Sequence, residues 1–159
     1  MEVLGLASEQ LASPCLDVGC GERGLLVTFL RSAGLSATGF DERAVEEWIE
    51  QEDWHAYHYG ADRWALITSH LAFSLHFFEA ELAGRDDAFD FAGTYRRILR
   101  SLRPGGVFAY VPSLPFIERL LGPAFEVRRR HIPGMPLAQH IQDARTSGLG
   151  EASQVRRLF

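Results

Sequence analysis

Cys15-Leu16-Asp17-Val18-Gly19-Cys20-Gly21-Glu22-Arg23-Gly24 is a short apolar run that ends in a glycine-rich turn. A run of this length bounded by glycines reads as a buried strand, Leu16 to Val18. Gly19 and Gly21 admit backbone angles and a close approach that a Cβ would block. The helix expected next, over residues 24–33, begins where the turn ends. Its free N–H groups therefore face whatever sits above the glycines. Strand, turn and helix together form a cradle for the middle of a nucleotide-like ligand.

The spacing Gly19-x-Gly21-x-x-Gly24 matches the dinucleotide fingerprint, which is weak evidence by itself. Asp17, two residues before the first glycine, separates the possibilities. Its carboxylate would repel a pyrophosphate lying over the turn and would attract a cationic ligand. With Asp17 in this place, Leu16 to Gly24 resembles motif I of the class I S-adenosylmethionine (SAM)-dependent methyltransferases. SAM carries an ammonium and a sulfonium and no phosphate. One departure is Arg23, where that family usually has a small residue; the glycine, Gly24, is displaced by one. A second segment, Leu102-Arg103-Pro104-Gly105-Gly106, resembles the L-[KR]-P-G-G turn that precedes the fifth strand in the same family. It lies about 85 residues downstream of the first glycine, and the resemblance spans residues 15–113.

The resemblance implies an α/β fold: a Rossmann-like doubly wound sheet, mostly parallel with an antiparallel C-terminal strand, in three α/β/α layers. It implies one domain over residues 1–159 and SAM as cofactor, held by Asp17, Gly19, Cys20 (through its backbone) and Gly21. Asp41 ends a second strand, Ala37 to Asp41, 17 residues after Gly24. An acid there accepts hydrogen bonds from both ribose hydroxyls in nicotinamide and SAM proteins alike. It is equally suited to cap a helix over Glu42 to Gln51. Asp62, after a third strand over Trp54 to Tyr59, is by resemblance the residue that faces the adenine amino group; a solvated loop carboxylate is the other reading.

Trp64 to Ser69 is nearly continuous in apolar residues, as in a strand covered on both faces. The ligand crevice of such sheets lies beyond the carboxyl ends of the strands. Ser69 and His70 are therefore expected where an acceptor meets the cofactor. His70 is the candidate catalytic base, by position and by a pKa near neutrality; a histidine that only packs is the alternative. Phe73, Phe77 and Phe78 read as the buried face of the following helix, and Tyr110 as core. Further helices are expected over Val3 to Leu11, Phe91 to Leu102, Phe116 to Leu121 and Leu137 to Thr146. Strands are expected up to Val111, over Phe125 to His131 and over Ala152 to Phe159.

At 159 residues, with 47% hydrophobic and 23% charged side chains, the composition is that of an ordinary globular chain. No apolar run reaches the roughly 18 residues of a membrane span. Residues 1–14 lack the pattern of a signal peptide, and two cysteines make no disulfide framework. A cytoplasmic protein is expected. The six histidines are scattered without ligand spacing, so no metal is expected. Charge is uneven: residues 1–93 carry −12 and residues 94–159 carry +7, all the cations being arginine. Nucleic acid is a poor fit to an acidic chain whose Ser69-His70-Leu71-Ala72 lacks the polar-Pro-Pro-aromatic pattern of base-amino methyltransferases.

The leading functional expectation is an enzyme, a SAM-dependent methyltransferase with a small-molecule acceptor. A catalytically degenerate relative that binds or regulates is one alternative. An NAD(P)-dependent oxidoreductase is another, although it leaves Asp17 and the Leu102 turn unexplained. Members of the family commonly carry N-terminal helices that lid the cofactor, and 14 residues precede the first strand here. The open rim this leaves favours association with a second copy as a homodimer.

Overall fold

The computed structural model describes residues 4, 6, 7 and 10–159. The helix expected over Val3 to Leu11 lies largely outside the described residues. From Cys15 onward the elements are β1 (Cys15–Val18), α1 (Leu25–Ser32), β2 (Ala37–Phe40), β3 (Trp64–His70), α2 (Phe73–Ala83), α3 (Ala88–Ser101), β4 (Leu102–Val111), α4 (Pro115–Glu118), β5 (Phe125–His131) and β6 (Glu151–Arg157), with two short 3₁₀ turns before β6. The six strands form one sheet in the order β2-β1-β3-β4-β6-β5. β2, β1, β3 and β4 are mutually parallel, and β6 runs antiparallel to both β4 and β5. This is the doubly wound, mostly parallel sheet expected, with the antiparallel strand inserted beside β4.

Each face of the sheet buries its own core. On one side Val27 and Leu30 of α1 pack with Leu66, Val107 and Ala109. On the other, Phe73 and Phe77 of α2 and Tyr95 and Ile98 of α3 pack with Ile67, Phe108 and Tyr110. Phe73, Phe77 and Phe78 are at most 2% exposed, so they are core, as their helical spacing implies. Among the described residues no helix is long and apolar enough to cross a membrane.

The Leu102 to Gly106 segment is part of β4 and forms a bulge in it. Trp64 pairs with Leu102 and Leu66 with Val107, so β3 advances two residues while β4 advances five. Gly106 is required there: a Cβ would sit 2.7 Å from the carbonyl oxygen of Trp64.

Three expected elements are corrected. Trp54 to Tyr59 forms no strand. The Asp53 carboxylate accepts the N–H groups of His55 and Ala56 and folds the segment into a turn. Its aromatic residues, which gave the stretch its strand character, are spent on the core, Tyr57 stacking on Phe40 at 3.9 Å. Glu42 to Gln51 forms no helix either. It returns along β2, with Asp41 N–H donating to Glu50 and Glu50 N–H to Gly39. Leu137 to Thr146 shortens to a 3₁₀ turn over Pro136–His140, followed by a turn in which Asp143 and Thr146 bond each other.

Candidate functional site

The glycine turn sits at the carboxyl end of β1, between the ends of β2 and β3. Gly19 adopts φ +68°, and a Cβ on it would lie 2.5 Å from the Cβ of Ala72 at the start of α2. Gly19 and Cys20 both donate their N–H groups to the Phe40 carbonyl, each at 3.1 Å. The Asp41 carboxylate completes the lacing: one oxygen accepts Gly21 N–H and the other Arg43 N–H, each at 2.9 Å. The turn is thus tied to the end of β2 by the acid singled out in the sequence.

Asp17 lies beneath the turn and is 3% exposed. Its carboxylate accepts a hydrogen bond from the Thr68 hydroxyl of β3 at 2.7 Å. Burial raises its pKa from 3.8 to about 7; the Thr68 bond opposes this and the charge of Asp41 adds to it. A buried carboxyl with no cation beside it among the described residues is held at a cost, and a positive ligand group would relieve that cost.

Two hollows meet at the turn, and Gly19, Gly21 and His70 line both. The first, about 400 Å³, is walled by Asp41, Glu22, Glu52, Trp54 and His76 among others. Four of its residues, Glu22, Asp41, Glu42 and Glu52, are acids and Arg43 is the one arginine. This surface suits a ligand with positive charge and opposes a pyrophosphate. The second, about 360 Å³, is floored by Asp17 and Cys20 and walled by Leu25 and Leu26. Burial, then the charges of Asp17 and Asp41, push the Cys20 thiol up to about 12. Cys20 therefore stays a thiol and serves the turn through its backbone. His70 stands at the rim between the hollows, and partial burial lowers its pKa below the usual 6.5. Its imidazole is neutral at pH 7, the form a base requires.

The structure brings Asp17, Gly19, Cys20, Gly21, Asp41 and His70 together. It does not bring Asp62 or Ser69 to them. Asp62 precedes β3, at the amino-terminal edge of the sheet. It pairs with Arg157 there, and its N–H donates to Arg100. Ser69 lies within β3, where strand alternation turns it to the face of Ile67; it is fully buried and lines neither hollow. Trp54, Glu52 and His76 line the site and were not singled out. The first two belong to a loop shaped by the Asp53 turn rather than by any strand or helix period. His76 shares a helix face with Ala72, four residues earlier, which is the signal that would have found it.

No protein-family model and no curated protein matches the chain. Solved structures do. The N-methyltransferase NodS from Bradyrhizobium japonicum WM9 aligns over 99% of this chain and 93% of its own at 16% identity, with a TM-score of 0.62. NodS has also been solved with S-adenosyl-L-homocysteine (SAH). The plantazolicin methyltransferase BpumL, in complex with SAH, aligns over 91% of this chain and 76% of its own at 15% identity, with a TM-score of 0.55. A SAM-dependent methyltransferase from Mesorhizobium loti is 25% identical over 67% of this chain, at a TM-score of 0.46, and this chain spans about half (53%) of its length. The fold is that of the class I SAM-dependent methyltransferases.

Proposed function

We propose that this chain binds SAM over the Gly19–Gly21 turn and transfers its methyl group to a small-molecule acceptor, acting as one domain. The observation that carries the reading is the joint placement of Asp17 and Asp41 at that turn. One is a buried carboxyl in need of a cation, and the other is a carboxylate at the end of β2. Asp41 would accept the ribose hydroxyls. Asp17 and the acidic wall would draw the ammonium group. Trp54 supplies aromatic surface beside them. When bound, SAM supplies an electrophilic methyl group on a sulfonium. The chain's own part is to hold the acceptor in line with that methyl and exclude water. His70, neutral at the rim, would take the acceptor's proton.

A nicotinamide dinucleotide fits poorly, because its pyrophosphate would lie among the acids of the first hollow. The exposed apolar side chains beside the turn, Leu25 (74% exposed) and Phe29 (50% exposed), support a homodimer over this face. Sedimentation at two concentrations tests that part.

Calorimetric titration with SAM, SAH and NAD tests the cofactor. Saturable binding of SAM and SAH, lost in Asp41→Ala, is the expected result. Tighter binding of NAD than of SAH would overturn the assignment.

A further inference from the structure

A cleft of about 480 Å³ lies away from the glycine turn. Helix α2 divides the two places. Ala72 and His76, four residues apart, line the candidate site, whereas Phe78 and Leu82, also four apart, line the cleft on the other side of the helix. Phe116 of α4 closes the cleft opposite Phe78, their rings 6.0 Å apart.

Three arginines converge on this apolar floor: Arg119, Arg129 and Arg145. They reach it from the end of α4, from β5 and from the loop before β6. Arg129 is anchored from below by Glu118, whose side chain is 0% exposed. Glu118 is itself saturated: its Oε1 accepts from the Tyr110 hydroxyl (2.7 Å), the Ser153 hydroxyl (2.6 Å) and Leu114 N–H (2.8 Å). That network fixes the guanidinium of Arg129 on one edge of the cleft. The Arg145 guanidinium donates to the Leu82 carbonyl at 3.2 Å. Arg119 has no side-chain partner among the described residues. Glu81 is the one acid in the lining. The volume falls within the usual range of small-molecule sites, about 300–1,000 Å³, and an apolar body with few convergent polar groups is their usual chemistry.

We propose that this cleft is a second ligand site, separate from the glycine turn, for a small organic anion. The ligand is a flat apolar group carrying one oxyanion head. The body packs against Leu82, Pro115 and Phe116, and the head meets Arg119 and Arg145, with Arg129 held behind them. Arginine suits this role because its planar fork donates two parallel hydrogen bonds to a carboxylate or a phosphate. The two heads share that chemistry, and the test separates them.

Amide NMR titration of the full chain with phenyl phosphate, benzoate, inorganic phosphate and phenol tests the site. Phenyl phosphate or benzoate is expected to shift the amides of Leu82, Arg119 and Arg145 saturably, and the tighter of the two names the head. Inorganic phosphate and phenol are each expected to bind about tenfold more weakly or worse, since each offers half of the ligand. Arg119→Gln and Arg145→Gln alter exposed side chains and leave the fold in place. Each is expected to weaken the aryl anion by about threefold to tenfold. An aryl anion that binds no better than inorganic phosphate, or that is indifferent to both variants, overturns the proposal. SAH added to the same sample reports on Gly19, Gly21 and Arg43, so the outcome for one site is read independently of the other.

Discussion

Asp17→Asn should stabilise the unliganded chain at alkaline pH while removing its affinity for the cofactor. The Asp17 carboxyl has a pKa of about 7 in the folded chain against 3.8 when free. Below the lower value both states hold the proton and stability does not depend on this group. Between the two values the folded chain binds a proton that the unfolded chain has released, so stability falls as pH rises. Above about 7 the whole cost is present, about 4 kcal/mol at roughly 1.4 kcal/mol per tenfold change. Water penetration and local relaxation reduce this, and about 1–3 kcal/mol should appear between pH 5 and 8.5. Asparagine keeps an oxygen to accept the Thr68 hydroxyl, so packing and hydrogen bonding are preserved. Urea unfolding of both proteins at pH 5 and at pH 8.5 measures the difference, and all other titrations cancel. The variant should gain on the wild type as pH rises. SAH affinity of the wild type should in turn increase as pH rises through about 7, because the ionised carboxylate is the form that pairs with the ligand ammonium. A stability difference that is the same at both pH values would refute the argument.

Asp41→Asn should weaken SAH by about tenfold or more, since charged acceptors make the stronger hydrogen bonds; calorimetry reads it. Gly19→Ala forces a non-glycine φ of +68° and a 2.5 Å clash with Ala72. It should cost about 1–3 kcal/mol in urea unfolding and also lower SAH affinity, as the turn shifts. Glu118→Ala leaves the buried Tyr110 and Ser153 hydroxyls and Leu114 N–H without their acceptor and should cost at least about 1–3 kcal/mol by the same measurement. Asp62→Asn, at the opposite edge of the sheet, should leave SAH affinity unchanged, and a loss there would contradict the placement of the site.

The parts that could be read in the chain are those whose neighbours in space are neighbours in sequence. The glycine turn, Asp17 at its approach and the buried strand Trp64 to Ser69 carry their own patterns, and the structure places them there, the strand running one residue further, to His70. Asp41 was legible because it ends a strand and lies at the span from Gly24 that a βαβ unit sets. Asp62 and Ser69 were misplaced for a shared reason. Asp62 was put at the site by resemblance, with a solvated loop carboxylate as the other reading, and Ser69 by its place near the carboxyl end of a strand. A strand has two ends and two faces, and neither ground says which one a residue occupies. The loop from Glu42 to Tyr59 was misread because its aromatic and acidic residues satisfy helix and strand patterns equally, whereas the Asp53 carboxylate and the pairing of Glu50 alongside β2 decided its path.

The amino-acid sequence by itself determined the apolar strands at Leu16 and Trp64 and the cradle at Gly19 to Gly21, because propensity, glycine conformation and hydrophobic period act within a few residues. Only the tertiary structure decided which acids share the crevice, that Trp54 and His76 wall it, and that Glu118 is locked beneath Arg129. Only there do Arg119, Arg129 and Arg145 converge beside Phe78 and Phe116. Those contacts join residues tens of positions apart, and chain closure around the sheet sets their partners, not any local pattern.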